Sequence, residues 1–352
     1  MEGVDNKYIS KAIDELAEFL GIKEDIPAES VLYPLYNGNT KKCIERIANH
    51  LGLPITVNLI TSESFESCDL VTTDDAGQAT EGITAQVSIP SNLPLYGSSA
   101  LKGFPIQVKV SGDCKRYAAA FVATMAHELS HIVLHSLWHT EKNNEIYTDI
   151  AAMLLGFAMA MRRGRYAVET TQIGMGWQQT TTTRFGYLKD DQFKFALSRV
   201  KAILKTSSTE FKKMRTAIDQ TLSNYRKQLD LYRKMFAEFN KLIEYLDRNQ
   251  GKKIREEDAK KIVEIHSLNY GDRFLSVLRS NEKKIREIEL LYSGWFENPQ
   301  NHYSKQKLNS LEVFYKDLRG LLSDIKIECD LLKSDVDILR KYLGFFKRLQ
   351  IK

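Results

Sequence analysis

The stretch from about Asp113 to Leu137 is apolar on nearly every side of the helix that its spacing predicts. A helix without a polar face is buried on most sides, so this part of the chain must fold around it. Three ionisable residues, His127, Glu128 and His131, stand in its middle. Exposure to solvent does not explain ionisable residues in the middle of a helix that is buried on most sides. We therefore expect these three residues to have a chemical role.

These three residues have the spacing His-Glu-x-x-His. Two histidines four apart lie about 40° apart around a helix and roughly 6 Å apart along it, so both rings can meet on one metal ion. Glu128 projects about 100° from His127, where it lies beside the metal and can accept a proton from water. The pattern is typical of one half of a zinc hydrolase site. The alternative interpretation is two core histidines with satisfied hydrogen bonds and an unrelated glutamate.

Catalytic zinc usually takes three protein ligands, so two imidazoles leave one ligand to be found. Glu145 and Asp149 are the candidates, because they lie in the first turns of a second amphipathic helix that must run back antiparallel to the first. This helix is predicted to end at Arg162–Arg165. Both carboxylates can reach the metal region. The uncertain length of the intervening turn prevents a choice between them on spacing alone.

The combined pattern, His127-Glu128-x-x-His131 followed by Glu145-x-x-x-Asp149, resembles the gluzincin branch of the zincin metallopeptidases. The resemblance implies Glu145 as the third zinc ligand and Asp149 as a carboxylate that supports a ligand histidine. It also implies a compact zincin-like α+β domain with a small sheet beside the active-site helix. The motifs cover about 25 residues, and the order of strands and helices extends the likeness to about residues 50–160.

The chemistry expected of such a site is hydrolysis of a peptide bond. Zinc polarises the carbonyl and acidifies water, while Glu128 accepts the proton and passes it to the leaving nitrogen. A hydrogen-bond donor for the developing oxyanion is also expected. Tyr187, Arg184 and Tyr147 are the candidates for this donor or for substrate contact, and the sequence does not choose between them.

Two segments upstream of the helix alternate apolar and polar residues, Ile83–Ile89 and Ile106–Val110. Both are predicted strands with one buried face. Zincins commonly bind an extended substrate along an edge strand, and either segment could serve. The segment Tyr166–Gly186, rich in Thr, Gln and Gly, is predicted to be the least regular part of the chain. The next segment, Tyr187–Leu204, is predicted to be an amphipathic helix.

Beyond about Thr206, glycine and proline nearly vanish and apolar residues recur three and four apart. This spacing predicts three long helices in an up-down-up antiparallel coiled coil. We therefore divide the chain into a zincin-like domain, residues 1–205, and an all-α arm, residues 206–352. The heptads can pack within the chain, with a partner protein or with a second copy.

Composition restricts the partners and the compartment. The chain is 43% hydrophobic and 27% charged, with a net charge of +5, and the lysines of the arm are interleaved with acidic residues. This pattern indicates solvated helix faces, so no nucleic acid is expected. Met1–Ser10 lacks the features of a secretory signal, and the apolar run Ala151–Met161 is too short to span a bilayer. We expect a cytoplasmic protein without a membrane partner.

Three functions fit these observations. The first is a zinc endopeptidase that acts on a protein or peptide, with the arm serving partner binding or regulation. The second is a catalytically silent zincin-like scaffold, although a structural zinc site has no use for Glu128. The third is a zinc hydrolase with a non-peptide substrate.

Overall fold

The computed structural model describes residues 4–62, 85–111, 116–172, 177–248, 270–296 and 302–349. Within these ranges the chain is mostly helical with small sheets, which confirms a mixed α+β fold. It divides into two compact units, Met1–Thr209 with Gln300–Lys307, and Glu210–Pro299 with Leu308–Lys352. The division falls inside one continuous helix, Asp190–Arg248, whereas the sequence predicts one helix over Tyr187–Leu204 and another beyond Thr206.

The first unit contains the helices α1 (Asn6–Leu20), α2 (Ala28–Tyr36), α3 (Thr40–Leu51), α4 (Ala118–Ser136), α5 (Glu145–Ala152) and α6 (Ala158–Gly164). Helix α7 (Asp190–Arg248) begins in the first unit and continues into the second. The strands are β1 (Ile22–Lys23), β2 (Thr56–Ser62), β3 (Ala85–Val87), β4 (Pro105–Ser111), β5 (Tyr166–Gln172), β6 (Gln178–Arg184) and β7 (His302–Tyr303). Two further helices complete the described chain, α8 (Tyr270–Phe296) and α9 (Lys305–Leu349).

The largest sheet has the strand order β2-β4-β3, with β2 parallel and β3 antiparallel to β4. The predicted strand Ile106–Val110 lies within β4. Because β4 is paired on both sides, its proposed role as a substrate-binding strand is wrong. The other candidate, Ile83–Ile89, contains β3, which is an edge strand among the described residues; positions 83 and 84 lie outside them.

Helix α4 is buried as its apolar sequence predicts. Phe121, Met125 and Leu129 have no exposed surface, and the helix packs against α3, α5, α6 and β3. It begins at Ala118 rather than Asp113, and residues 112–115 lie outside the described ranges. Its burial means that the polar side chains it carries need partners within the fold.

The second predicted helix does not run unbroken to Arg162–Arg165. It ends at Ala152, and a kink with non-helical backbone at Leu155 and Gly156 separates α5 from α6. Gly156 adopts a φ of +93°, and a Cβ there would collide with the Glu24 carbonyl and the His50 ring. Glycine adopts a positive φ without strain and has no Cβ to collide with these groups, so the helix breaks at this residue.

The segment Tyr166–Gly186 is more regular than expected. β5 and β6 form an antiparallel hairpin whose register pairs Tyr166 with Arg184 and Gln172 with Gln178. Its threonines favour extended backbone. The side chain of Val168 is 61% exposed. None of the hairpin side chains that the structure describes is buried, and the sequence of the two strands has no alternation of apolar and polar residues from which to predict them.

In the described part of the second unit, α7, α8 and α9 all contribute to a hydrophobic core: Tyr225, Leu229, Tyr232, Phe239, Phe274, Ile285, Ile325, Cys329, Leu332, Val336 and Leu339. Arg226 pairs with Glu289, and Arg233 pairs with Glu282. Residue numbers rise along α7 as they fall along α8, so these two helices are antiparallel. No helix in the described ranges is long and apolar enough to cross a bilayer.

Candidate metal centre

Three side chains of the first unit converge on one point. Oε2 of Glu145 lies 2.9 Å from Nε2 of His127 and 3.2 Å from Nε2 of His131. The ligand atoms all lie within 4.8 Å of one another. Ligands about 2 Å from a tetrahedral metal are separated by roughly 3.3 Å, close to the spacing found here. This group can hold a metal ion.

The two histidines are brought together by α4 alone. They stand one turn apart on the helix, and their ring centroids are 5.0 Å apart. His127 is 5% exposed, whereas His131 is half-buried. Their four-residue separation places both rings on the same side of α4, as the spacing predicts.

Glu145 is placed by the cap of α5. Asn144 is the N-cap residue, and its side-chain oxygen accepts a hydrogen bond from the backbone N–H of Ile146 at 3.1 Å. Its amide nitrogen donates to the Tyr8 hydroxyl at 2.8 Å and to Oε2 of Glu141 at 2.9 Å. Residues from α1 and from the preceding turn therefore fix the first residue of α5, which is Glu145.

Asp149 lies on the opposite side of the His127 ring. Its Oδ1 is 2.7 Å from Nδ1 of His127, and it is 1% exposed. Its Oδ2 accepts a hydrogen bond from the backbone N–H of Tyr187 at 2.9 Å. The two acidic candidates therefore have different positions. Glu145 lies with the histidine pair, whereas Asp149 orients the ring of His127.

The electrostatics of the group favour positive charge. Burial disfavours the charged form of His127, but hydrogen bonds to Asp149 and Glu145 outweigh it and raise the pKa of His127 to about 10. Burial likewise acts to raise the pKa of Glu145, but its hydrogen bonds to His127 and His131 lower that pKa to about 2. A cation held between these side chains would be stabilised by the same carboxylates.

Glu128 lies beside the group and faces the sheet. Its carboxylate is hydrogen-bonded by the backbone of Val87 in β3. Burial raises the pKa of Glu128, opposed by the charges of His127 and His131. A buried carboxylate with a raised pKa is a better proton acceptor than a solvated one.

The three candidate oxyanion donors lie in different surroundings. The ring of Tyr187 stacks on that of His127, with centroids 5.3 Å apart and planes inclined by 24°. The Tyr147 hydroxyl instead donates to Glu15 at 3.1 Å. Arg184 is exposed at the end of β6. Hydrogen bonds from Tyr166 and Arg165 lower the pKa of the nearby Asp190, and the charge of Arg184 adds to them. The structure brings Tyr187 to the metal group, while the contacts of the other two lie elsewhere.

Sequence reasoning missed two residues that support the site. Asn144 could have been found, because an Asn immediately before the predicted helix is a typical N-cap. Tyr8 could not, since it lies 136 positions away from Asn144 and carries no local signal.

Comparisons with protein-family models, with curated proteins and with solved structures find no match for this chain. The functional interpretation therefore rests on the geometry of the residues.

Proposed function

We propose that this protein is a zinc-dependent endopeptidase of the zincin type. The observation that carries the proposal is the meeting of His127, His131 and Glu145, with Glu128 adjacent to them. Three protein ligands leave one coordination position for water or substrate, which is the arrangement of catalytic rather than structural zinc. A neighbouring carboxylate that is not itself a ligand is what hydrolysis requires.

The donor set fits zinc. Two imidazole nitrogens and one carboxylate oxygen form a common ligand set of catalytic zinc, and imidazole suits this ion well. When bound, zinc supplies the Lewis acidity that polarises a carbonyl and acidifies water. Asp149 accepts a hydrogen bond from Nδ1 of His127 and keeps Nε2 directed toward Glu145.

Proton transfer is assigned to Glu128. Its carboxylate accepts the proton from the attacking water and delivers it to the leaving nitrogen. Val87 holds this carboxylate through a backbone hydrogen bond. Among the oxyanion candidates we favour Tyr187, because it alone contacts a histidine of the metal group.

The position of β3 favours a peptide substrate. β3 is paired with β4 on one side only, among the described residues. Val87 belongs to β3 and contacts Glu128, so a peptide that extended the sheet at β3 would lie near the general base. We assign the helical unit to partner binding or regulation, for which its exposed Leu290, Val313 and Ile327 provide apolar surface.

The proposal is tested by peptide-library cleavage, read by mass spectrometry, with zinc-loaded wild type, Glu128→Gln and the control Glu29→Gln. Glu29 is an exposed glutamate of α2. We expect Glu128→Gln to retain zinc and to lose roughly 100-fold or more in cleavage, because it removes the general base. Glu29→Gln should match wild type. Bound zinc without cleavage by wild type would overturn the enzyme proposal and favour a scaffold.

A further inference from the structure

A solvent-open depression of about 550 Å³ adjoins the metal group. It is lined by Thr140, Glu141, Asn143, Asn144, Glu145, Ile146 and Tyr187. Glu145 and Tyr187 belong both to this depression and to the surroundings of the metal group. A substrate held at the metal group can therefore extend into the depression.

The lining of the depression is acidic. None of the described residues that line it is Lys, Arg or His, whereas two are glutamates. Glu145 is committed to the histidines, so Glu141 is the carboxylate left to face a ligand. The adjacent cation, Lys142, lies over the Trp138 ring with its Nζ 5.5 Å from the ring centroid.

The turn that carries Glu141 is held by several hydrogen bonds. The backbone N–H of Glu141 donates to Nδ1 of His139 at 3.1 Å, and its carbonyl accepts from the Asn144 N–H at 2.9 Å. Its Oε2 accepts from the Asn144 side chain at 2.9 Å. These contacts position the carboxylate before any ligand arrives, which lowers the cost of binding.

We propose that this depression is a specificity subsite for a positively charged group of the substrate, with Glu141 as the counter-charge. The group is an ammonium or guanidinium ion, carried either by a Lys or Arg side chain or by the N-terminus of the peptide. The inference rests on the proposed function and adds a substrate class to it. A charge-assisted hydrogen bond to a preorganised carboxylate supplies the selectivity.

The substitution Glu141→Gln tests the charge of the subsite without removing the hydrogen bond that supports the start of α5. Glutamine keeps an amide oxygen that can accept the Asn144 hydrogen bond, so the α5 cap is preserved while the negative charge is lost. Glu29→Gln is the matched control, since it removes one negative charge from an exposed position on α2. Thermal unfolding of all three proteins reports whether the fold is retained.

The test measures dissociation constants of four metal-binding probes with the zinc-loaded full chain: the hydroxamates of lysine and norleucine, each with a free or an acetylated α-amine. We expect wild type and Glu29→Gln to bind a cationic probe about fivefold more tightly than its neutral counterpart, and Glu141→Gln to show no preference. A preference set by the side chain assigns the subsite to Lys or Arg, and one set by the α-amine assigns it to the N-terminus.

Two outcomes would overturn the inference while leaving the proposed function intact. One is equal binding of all four probes by wild type. The other is a charge preference that persists in Glu141→Gln. If none of the probes binds a zinc-loaded protein, the proposed function fails and the subsite fails with it.

Discussion

Nδ1 of His127 lies 2.7 Å from Oδ1 of Asp149, and this contact directs Nε2 of the same ring toward Glu145. A carboxylate can only accept this hydrogen bond, so one proton sits on Nδ1, and a metal ion would bind Nε2 in place of the proton that this nitrogen shares with Glu145. The two acidic residues of α5 thus have different tasks, although they are one helical turn apart.

This division of tasks predicts an order of zinc affinities. Asp149→Ala removes the support of His127 and should weaken zinc binding by roughly 10- to 100-fold. Glu145→Ala removes a ligand and should weaken it further. Competition with a chromophoric chelator measures both affinities. A larger loss in Asp149→Ala, in a protein that remains folded, would reverse the assignment of the two residues.

The cap of α5 should matter to zinc as well as to stability. Asn144→Ala removes the N-cap and the contact with Tyr8, which should cost about 1 kcal/mol of stability and shift Glu145 away from the histidines. Asn39 caps α3 by accepting a hydrogen bond from the Lys42 N–H at 2.9 Å. Asn39→Ala should therefore cost similar stability, with zinc affinity unchanged. Equal zinc affinities in the two variants would show that the α5 cap does not position Glu145.

The histidine pair could be predicted from sequence because its geometry is local. Four residues on one helix fix the relation between His127 and His131 whatever the rest of the chain does. The choice between Glu145 and Asp149 could not be made in this way. It depends on where α5 begins, and that is fixed by Asn144 and by its contact with Tyr8.

Two other features could not be predicted from the sequence. The strands of the β5–β6 hairpin lack an alternation of apolar and polar residues, so the sequence predicts an irregular segment there. The break in the helix at Gly156 depends on the close approach of Glu24 and His50, which are distant in sequence. The core positions of the second unit, by contrast, follow a repeat that is readable because α7, α8 and α9 bury one face each.

Acid should destabilise the chain through His50. Burial, followed by the charge of Lys23, lowers the pKa of His50 from 6.5 to about 4. Between these values the unfolded chain binds more protons than the folded one, so the free energy of unfolding falls as the pH falls. The loss from this half-buried ring should be about 2 kcal/mol.

The variant His50→Gln isolates this contribution. His302, whose pKa is also lowered to about 4, titrates in both proteins and cancels in their difference. Unfolding in urea at pH 7 and pH 4 should show the stability of wild type falling more steeply than that of the variant. Parallel losses in the two proteins would contradict the role assigned to His50.

The core of the second unit offers an adjacent pair of leucines. Leu332 has no exposed surface, whereas Leu331 is 45% exposed. Leu332→Ala should cost about 2–5 kcal/mol, because it leaves a cavity among packed side chains. Leu331→Ala should change stability by no more than about 0.5 kcal/mol. Chemical unfolding of both variants followed by circular dichroism checks the difference, and similar costs would contradict the assigned burial.

The central claim is that His127, His131 and Glu145 bind one zinc ion. X-ray absorption spectroscopy of the zinc-loaded full chain tests it most directly. We expect one zinc per chain with two imidazole nitrogens and a carboxylate oxygen at about 2.0–2.2 Å, and loss of this coordination in His127→Ala. A folded chain that binds no zinc, or whose zinc environment contains sulfur or is unchanged in His127→Ala, would contradict the account.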